Sequence, residues 1–76
     1  MKISYYYNST ERNVYAKTED DRWYVHTRVG YKKKAWASIR KPLPMYALLP
    51  RITRLEVIVQ GVPPLDPTTV KYYMTF

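Results

Sequence analysis

The sequence predicts a mostly β fold, a small antiparallel sheet or a partly open barrel of five to six strands joined by hairpins. Apolar and polar residues alternate with a period of two along most of the chain, as in strands with one buried face. Nine Tyr, two Trp and one Phe supply side chains that favour strands. Short clusters of turn residues separate the alternating segments. The 76 residues suffice for a single domain, 1–76, with one small core.

The first two predicted strands form a hairpin. Lys2–Tyr7 alternates and is rich in tyrosine, and Asn13–Thr18 alternates around Val14 and Ala16. Between them, residues 8–12 contain Asn, Ser and Thr, whose side chains bond the backbone of turns. An acidic turn over residues 19–21 ends the second strand, so a third strand is expected to follow it.

The third and fourth predicted strands are Arg22–Val29 and Tyr31–Lys41, separated by Gly30. Glycine accepts the positive φ that a two-residue type II′ turn requires at its first central position. A turn of this type would place Val25 opposite Trp36. The prediction is therefore a tight β-hairpin with Trp36 on its inward face.

The second half of the chain is less regular. Lys41–Pro50 holds three prolines, so we expect a packed irregular segment with a short helical turn at Met45–Leu48. Arg51–Gln60 is predicted to be a strand. Thr68–Phe76 is predicted to be a last strand, although Asp66 followed by Pro67 could instead cap a helix there.

The sequence contains few of the residues that usually carry out catalysis. The chain has no cysteine, one histidine (His26) and only two glycines, so thiol chemistry, a thiolate metal site and a Gly-rich phosphate loop are all excluded. Glu19, Asp20 and Asp21 are consecutive, and adjacent residues on a turn splay apart, so we interpret them as a solvated turn. We expect no enzyme activity, no metal, no cofactor and no small-molecule substrate.

Positive charge is concentrated in the middle of the chain. The net charge is +7, and residues 22–54 hold nine of the thirteen Lys and Arg without any acid. A block of this kind attracts phosphates or an acidic protein surface. The chain lacks an apolar run of signal-peptide or membrane-helix length, so a cytoplasmic location without membrane contact is expected.

Aromatic residues are interleaved with this basic block, and the mixture is typical of surfaces that hold phosphates while rings stack on bases. The candidate binding residues are Tyr24, Arg28, Tyr31, Lys32, Lys33, Lys34, Trp36, Arg40 and Lys41.

Trp36 has two interpretations. A large ring is normally buried, and the predicted register places Trp23 and Trp36 together on the inward face, which favours a core role over stacking on a base. Period two would direct Lys32 and Lys34 to one side of the hairpin and Lys33 to the other. This arrangement favours a basic finger that inserts into a groove or cleft over a flat stacking platform.

Two classes of function remain. The first is a non-catalytic module whose basic, aromatic hairpin binds DNA or RNA and regulates a nucleic-acid process. The second is a small regulator or inhibitor, of the kind that viruses encode, that binds an acidic surface of a host transcription, replication or defence machine without contacting nucleic acid. A minor structural subunit that fills a gap in an assembly is a third interpretation.

Overall fold

The computed structural model of the chain describes residues 2–31 and 33–74. In chain order, its elements are β1 (Ile3–Asn8), β2 (Asn13–Thr18), β3 (Trp23–Arg28), β4 (Lys34–Ile39), a 3-10 turn (Pro44–Leu48), β5 (Arg51–Ile52), α1 (Arg54–Val59), a second 3-10 turn (Pro67–Thr69) and β6 (Tyr72–Met74).

One six-stranded sheet with the order β5-β1-β2-β3-β4-β6 organises the molecule. The first four strands form consecutive antiparallel hairpins, and β5 adds antiparallel to β1. The predicted mostly β class is thereby confirmed, and the sheet stays open because β5 and β6 lie at opposite edges. One pair differs from the prediction: β6 runs parallel to β4. The segment between them is long enough for the crossover that a parallel pair needs.

The predicted register of the β3–β4 hairpin is wrong by one residue. His26, rather than Val25, lies opposite Trp36, and Arg28 lies opposite Lys34. The ladder ends at the pair Arg28 and Lys34, so the two-residue turn is not formed, and Gly30 in the connection has φ 71°. A slip of one residue moves a side chain to the other face of a sheet. Trp36 and Trp23 therefore lie on opposite faces rather than together.

The predicted strand at Arg51–Gln60 is also wrong beyond its first two residues, because α1 begins at Arg54. The Thr53 hydroxyl accepts from the Glu56 backbone N–H at 3.1 Å, and the Glu56 carboxylate accepts from the Thr53 N–H at 3.0 Å. This capping box satisfies two N–H groups at the helix start. A strand would have directed Leu55, Val57 and Val59 inward, but of these only Val57 is buried.

The Pro-rich segment packs as predicted, since Tyr46 is buried within the 3-10 turn at Pro44–Leu48. The two alternatives for the C-terminal segment both hold in part. Asp66 caps the second 3-10 turn by accepting from the Thr68 N–H, and β6 follows it. The predicted strand extends over Thr75 and Phe76, which lie outside the described residues.

Each face of the sheet has its own core. The first core lies under α1 and the loop before Asp66, and its buried members are Tyr5, Val14, Ala16, Tyr24, Trp36, Val57 and Leu65. The second lies under the Pro-rich segment, and its buried members are Tyr6, Tyr15, Trp23, Val25, Ala37, Ile39 and Tyr46. Tyrosines thus fill much of both cores, which explains how so small a chain accommodates nine of them.

Candidate functional site

The last residue pair of the β3–β4 ladder consists of two cations. Arg28 and Lys34 are exposed and lie directly opposite each other, so their side chains emerge on the same face of the sheet. The next pair toward the sheet on that face is His26 and Trp36. Like charges directly opposite each other destabilise a sheet. This end of the hairpin therefore carries a repulsion that an anion would relieve.

A pocket of about 310 Å³ opens beside these residues, between β4 and the chain that leads into β6. Among the described residues, three lysines and no carboxylate line it. The lining residues are His26, Lys33, Lys34, Ala35, Trp36, Pro63, Thr69, Val70, Lys71 and Tyr72. Ammonium groups around a concave site with hydroxyl and aromatic neighbours suit an anionic ligand such as a phosphate.

Lys33 is directed back toward the body of the protein. Its Nζ donates to the Tyr72 hydroxyl at 3.2 Å and lies 5.6 Å from the centroid of that ring. Lys34 follows the His26–Trp36 pair toward the end of the ladder and lines the same pocket. The structure therefore brings Lys33 and Lys34 to one pocket, whereas Lys32 lies outside the described residues.

Trp36 forms a wall of the pocket and belongs to the core. Its side chain is 8% exposed, and its indole N–H donates to the Pro63 carbonyl at 2.8 Å. The His26 ring meets it edge to face, with 5.3 Å between ring centroids. The structure thus agrees with the core interpretation of Trp36. Tyr24, another candidate binding residue, is buried in the same core and has no ring face to offer a ligand.

His26 is held in its neutral form. Burial lowers its pKa below the ordinary value of 6.5, and the positive charge of Lys34 lowers it further. At neutral pH this side chain is therefore an uncharged hydrogen-bonding group at the base of the pocket, and the lysines supply the charge.

Two exposed rings belong to segments that also contribute residues to the pocket. Tyr31, in the hairpin loop, is fully exposed. Tyr73, on β6, is 66% exposed and lies beside Ser38 of β4. Large rings left in solvent near a basic pocket are free to stack on a ligand.

Arg40 and Lys41 lie apart from the other candidate binding residues. They follow β4 at its far end, about 20 Å along the strand from Lys34. That end of the sheet carries the acidic β2–β3 turn, because Ile39 pairs with Trp23. Both ion pairs found among residues 2–31 and 33–74 use acids of this turn, Asp20 and Asp21.

Four residues near the site went unpredicted: Thr69, Lys71, Tyr72 and Tyr73. Sequence reasoning placed them in the last strand but gave no neighbour for it. The parallel pairing of β6 with β4 brings them to the hairpin end. Of these four residues, only Lys71 stands out in the sequence, because it is the single cation after Arg54.

Within the described part of the chain, no cluster of three or more metal-ligating side chains is found. None of the helices described there has the length and hydropathy needed to cross a membrane. Comparison with known proteins gives no match to any family model, curated protein or solved structure.

Proposed function

We propose that this chain is a non-catalytic binding module whose β3–β4 end contacts the phosphate backbone of nucleic acid. The pocket lined by Lys33, Lys34 and Lys71 without any carboxylate is the observation that carries the proposal. Binding of this kind would suit a regulator of a nucleic-acid process.

The charge pattern supports a polyanion as the ligand. Arg28 and Lys34 repel each other across the hairpin, and both ion pairs of the described residues lie at the other end of the sheet. Phosphates brought to this end would relieve the repulsion, and the counterions released from the nucleic acid would favour binding.

The test is fluorescence anisotropy of labelled DNA and RNA at increasing salt. We expect affinity that falls steeply with salt, because each phosphate contact contributes about −0.7 to −0.9 to the slope of log K against log salt. A triple variant with Lys33→Gln, Lys34→Gln and Lys71→Gln should bind weakly, and its slope should be shallower by about 2 to 3.

The matched control is a triple variant with Lys2→Gln, Arg40→Gln and Lys41→Gln. It removes the same net charge from exposed positions elsewhere. We expect it to retain most of the affinity. Equal losses in the two triple variants would assign binding to net charge alone, and absence of binding to any DNA or RNA at low salt would refute the proposal.

The second candidate is a regulator that binds an acidic surface of a larger protein machine. The basic β3–β4 end would supply the complementary charge, and the apolar outer face of α1 would supply apolar contacts. Leu55, Ile58 and Val59 are 69%, 47% and 78% exposed. Clustered exposed apolar side chains often mark protein interaction sites. A pull-down from lysate with and without nuclease tests it: one stoichiometric protein that survives nuclease and is lost on Leu55→Ser would support this candidate.

A further inference from the structure

We infer that the β3–β4 end selects single-stranded nucleic acid over duplex. The inference rests on the proposed function and deepens it, because it names the form of nucleic acid that the same surface accepts. Two independent features carry it: the concave shape of the basic pocket, and the exposed aromatic rings near it.

The shape of the pocket is the first feature. Lys33 bonds back to Tyr72, so its ammonium group faces the body of the protein rather than projecting from the hairpin tip. Together with Lys34 and Lys71, Lys33 lines a concavity beside β4. A volume of about 310 Å³ is at the small end of sites that hold a small molecule. A single strand can bend one nucleotide into such a pocket, whereas a duplex must first unpair and unstack it.

The second feature is the position of Tyr31 and Tyr73. Tyr73 lies beside Ser38, which is four residues, roughly 13 Å, along β4 from Lys34. Tyr31 lies in the loop on the other side of Lys34. The backbone positions of the two tyrosines therefore lie on either side of Lys34 along the direction of β4. In a duplex the base faces are already stacked on one another, but in a single strand they are free to stack on protein rings.

Together these features suggest a path for a nucleic-acid strand along the surface. The lysines of the pocket hold phosphate, and a strand running along β4 passes Tyr31 at one end and Tyr73 at the other. Because every base has a π-face, stacking of this kind tolerates any sequence. The expected ligand is thus a single strand of DNA or RNA, with little preference for particular bases.

The experiment compares a labelled single-stranded oligonucleotide of about 12 residues with the duplex of the same sequence, as DNA and as RNA, by anisotropy at one salt concentration. We expect the single strand to bind at least about tenfold more tightly. Tyr31→Ala and Tyr73→Ala should each weaken single-strand binding by roughly 5- to 150-fold, the range found for loss of one base–ring stack. Neither variant should change the salt slope, since neither removes a charge.

Leu48→Ala is the matched control, because Leu48 is 85% exposed and lies on the Pro-rich segment, which contributes no residue to the lining of the pocket. It should bind like the unmodified protein. Circular dichroism verifies the fold of each variant, and both tyrosines are exposed, so folding should be retained. Equal or tighter binding of the duplex would overturn the inference while leaving the proposed function standing. Undiminished single-strand binding by both folded tyrosine variants would also overturn it, and failure of every oligonucleotide to bind would instead refute the proposed function.

Discussion

Arg28 and Lys34 lie directly opposite each other as the last residue pair of the β3–β4 ladder. Both are exposed, and the part of the chain that the structure describes contributes no carboxylate to the pocket beside them. A pair of like charges in this position weakens the hairpin. The same pair increases the positive potential at the hairpin end, so stability and binding should respond in opposite directions when one of the charges is reversed.

Lys34→Glu should therefore stabilise the fold and weaken nucleic-acid binding. Replacing repulsion with attraction across the ladder should raise the free energy of unfolding by about 0.2–1 kcal/mol. Urea denaturation measures the first effect and anisotropy the second. Lys41→Glu makes the same charge change at the far end of β4 and should leave most of the binding intact. A Lys34→Glu variant that is less stable than the unmodified protein would contradict this account.

Trp36→Phe should destabilise the protein more than Trp23→Phe does. Both rings are buried, and both substitutions remove a similar volume. Only Trp36 has an indole hydrogen bond among the described residues, to the Pro63 carbonyl. Its loss should add about 0.5–1.5 kcal/mol to the cost of the smaller ring. The comparison uses the denaturation midpoints of the two variants, provided that the free energy of unfolding depends on denaturant with the same slope in both. Equal losses of stability would show that the bond contributes nothing.

The capping box predicts that Thr53→Ala lowers the free energy of unfolding by about 1 kcal/mol. The reason is that the Glu56 backbone N–H loses its acceptor. Glu56→Gln should be tolerated, because an amide oxygen can accept the Thr53 N–H in place of the carboxylate. Thr10→Ala, at an exposed turn position, serves as the control and should be nearly neutral in thermal unfolding. A similar loss of stability in Thr10→Ala would mean that the helix cap does not explain the effect of Thr53→Ala.

His26 predicts the pH dependence of stability. Burial and then the charge of Lys34 lower its pKa in the folded state below 6.5. The unfolded chain therefore binds the proton first, and the free energy of unfolding falls as the pH drops below 6.5. Above that pH the contribution of His26 is fully present.

Unfolding measured between pH 7.5 and pH 5.5 tests this prediction, since His26 is the only histidine. The decline should be smaller in His26→Gln. It should also be smaller in Lys34→Gln, in which the neighbouring positive charge is gone. An equally steep decline in His26→Gln would mean that another group governs this pH range.

The sequence predicted the first four strands well because each has a local signal. Alternation fixed β1, β2, β3 and β4 to within a few residues, and polar turn residues marked the connections. The helix α1 shows where alternation misleads. Leu55, Val57 and Val59 alternate as in a strand, but the local bonds between Thr53 and Glu56 favour a helix, and the sequence Thr-Arg-Leu-Glu contains that signature.

The candidate site was predicted only in part. The basic hairpin end follows from the run at Lys33 and Lys34, and the exposure of Tyr31 is in keeping with a loop. The register of the hairpin was not predictable, because the loop length decides it and glycine at a turn is compatible with several lengths. The one-residue difference in register moved Trp36 to the other face and placed it opposite His26.

By itself, the sequence determined the class of the fold, the basic middle of the chain and the lack of thiol chemistry, since all of these are properties of composition and local pattern. The tertiary structure decided which charges meet. Parallel pairing of β6 with β4 carries Lys71 and Tyr72 to Lys33 and Lys34 across nearly forty residues. The length of β4 separates Arg40 from them although it is closer in sequence. Long-range strand pairing depends on how two cores pack on the two faces of one sheet, and no local pattern encodes it.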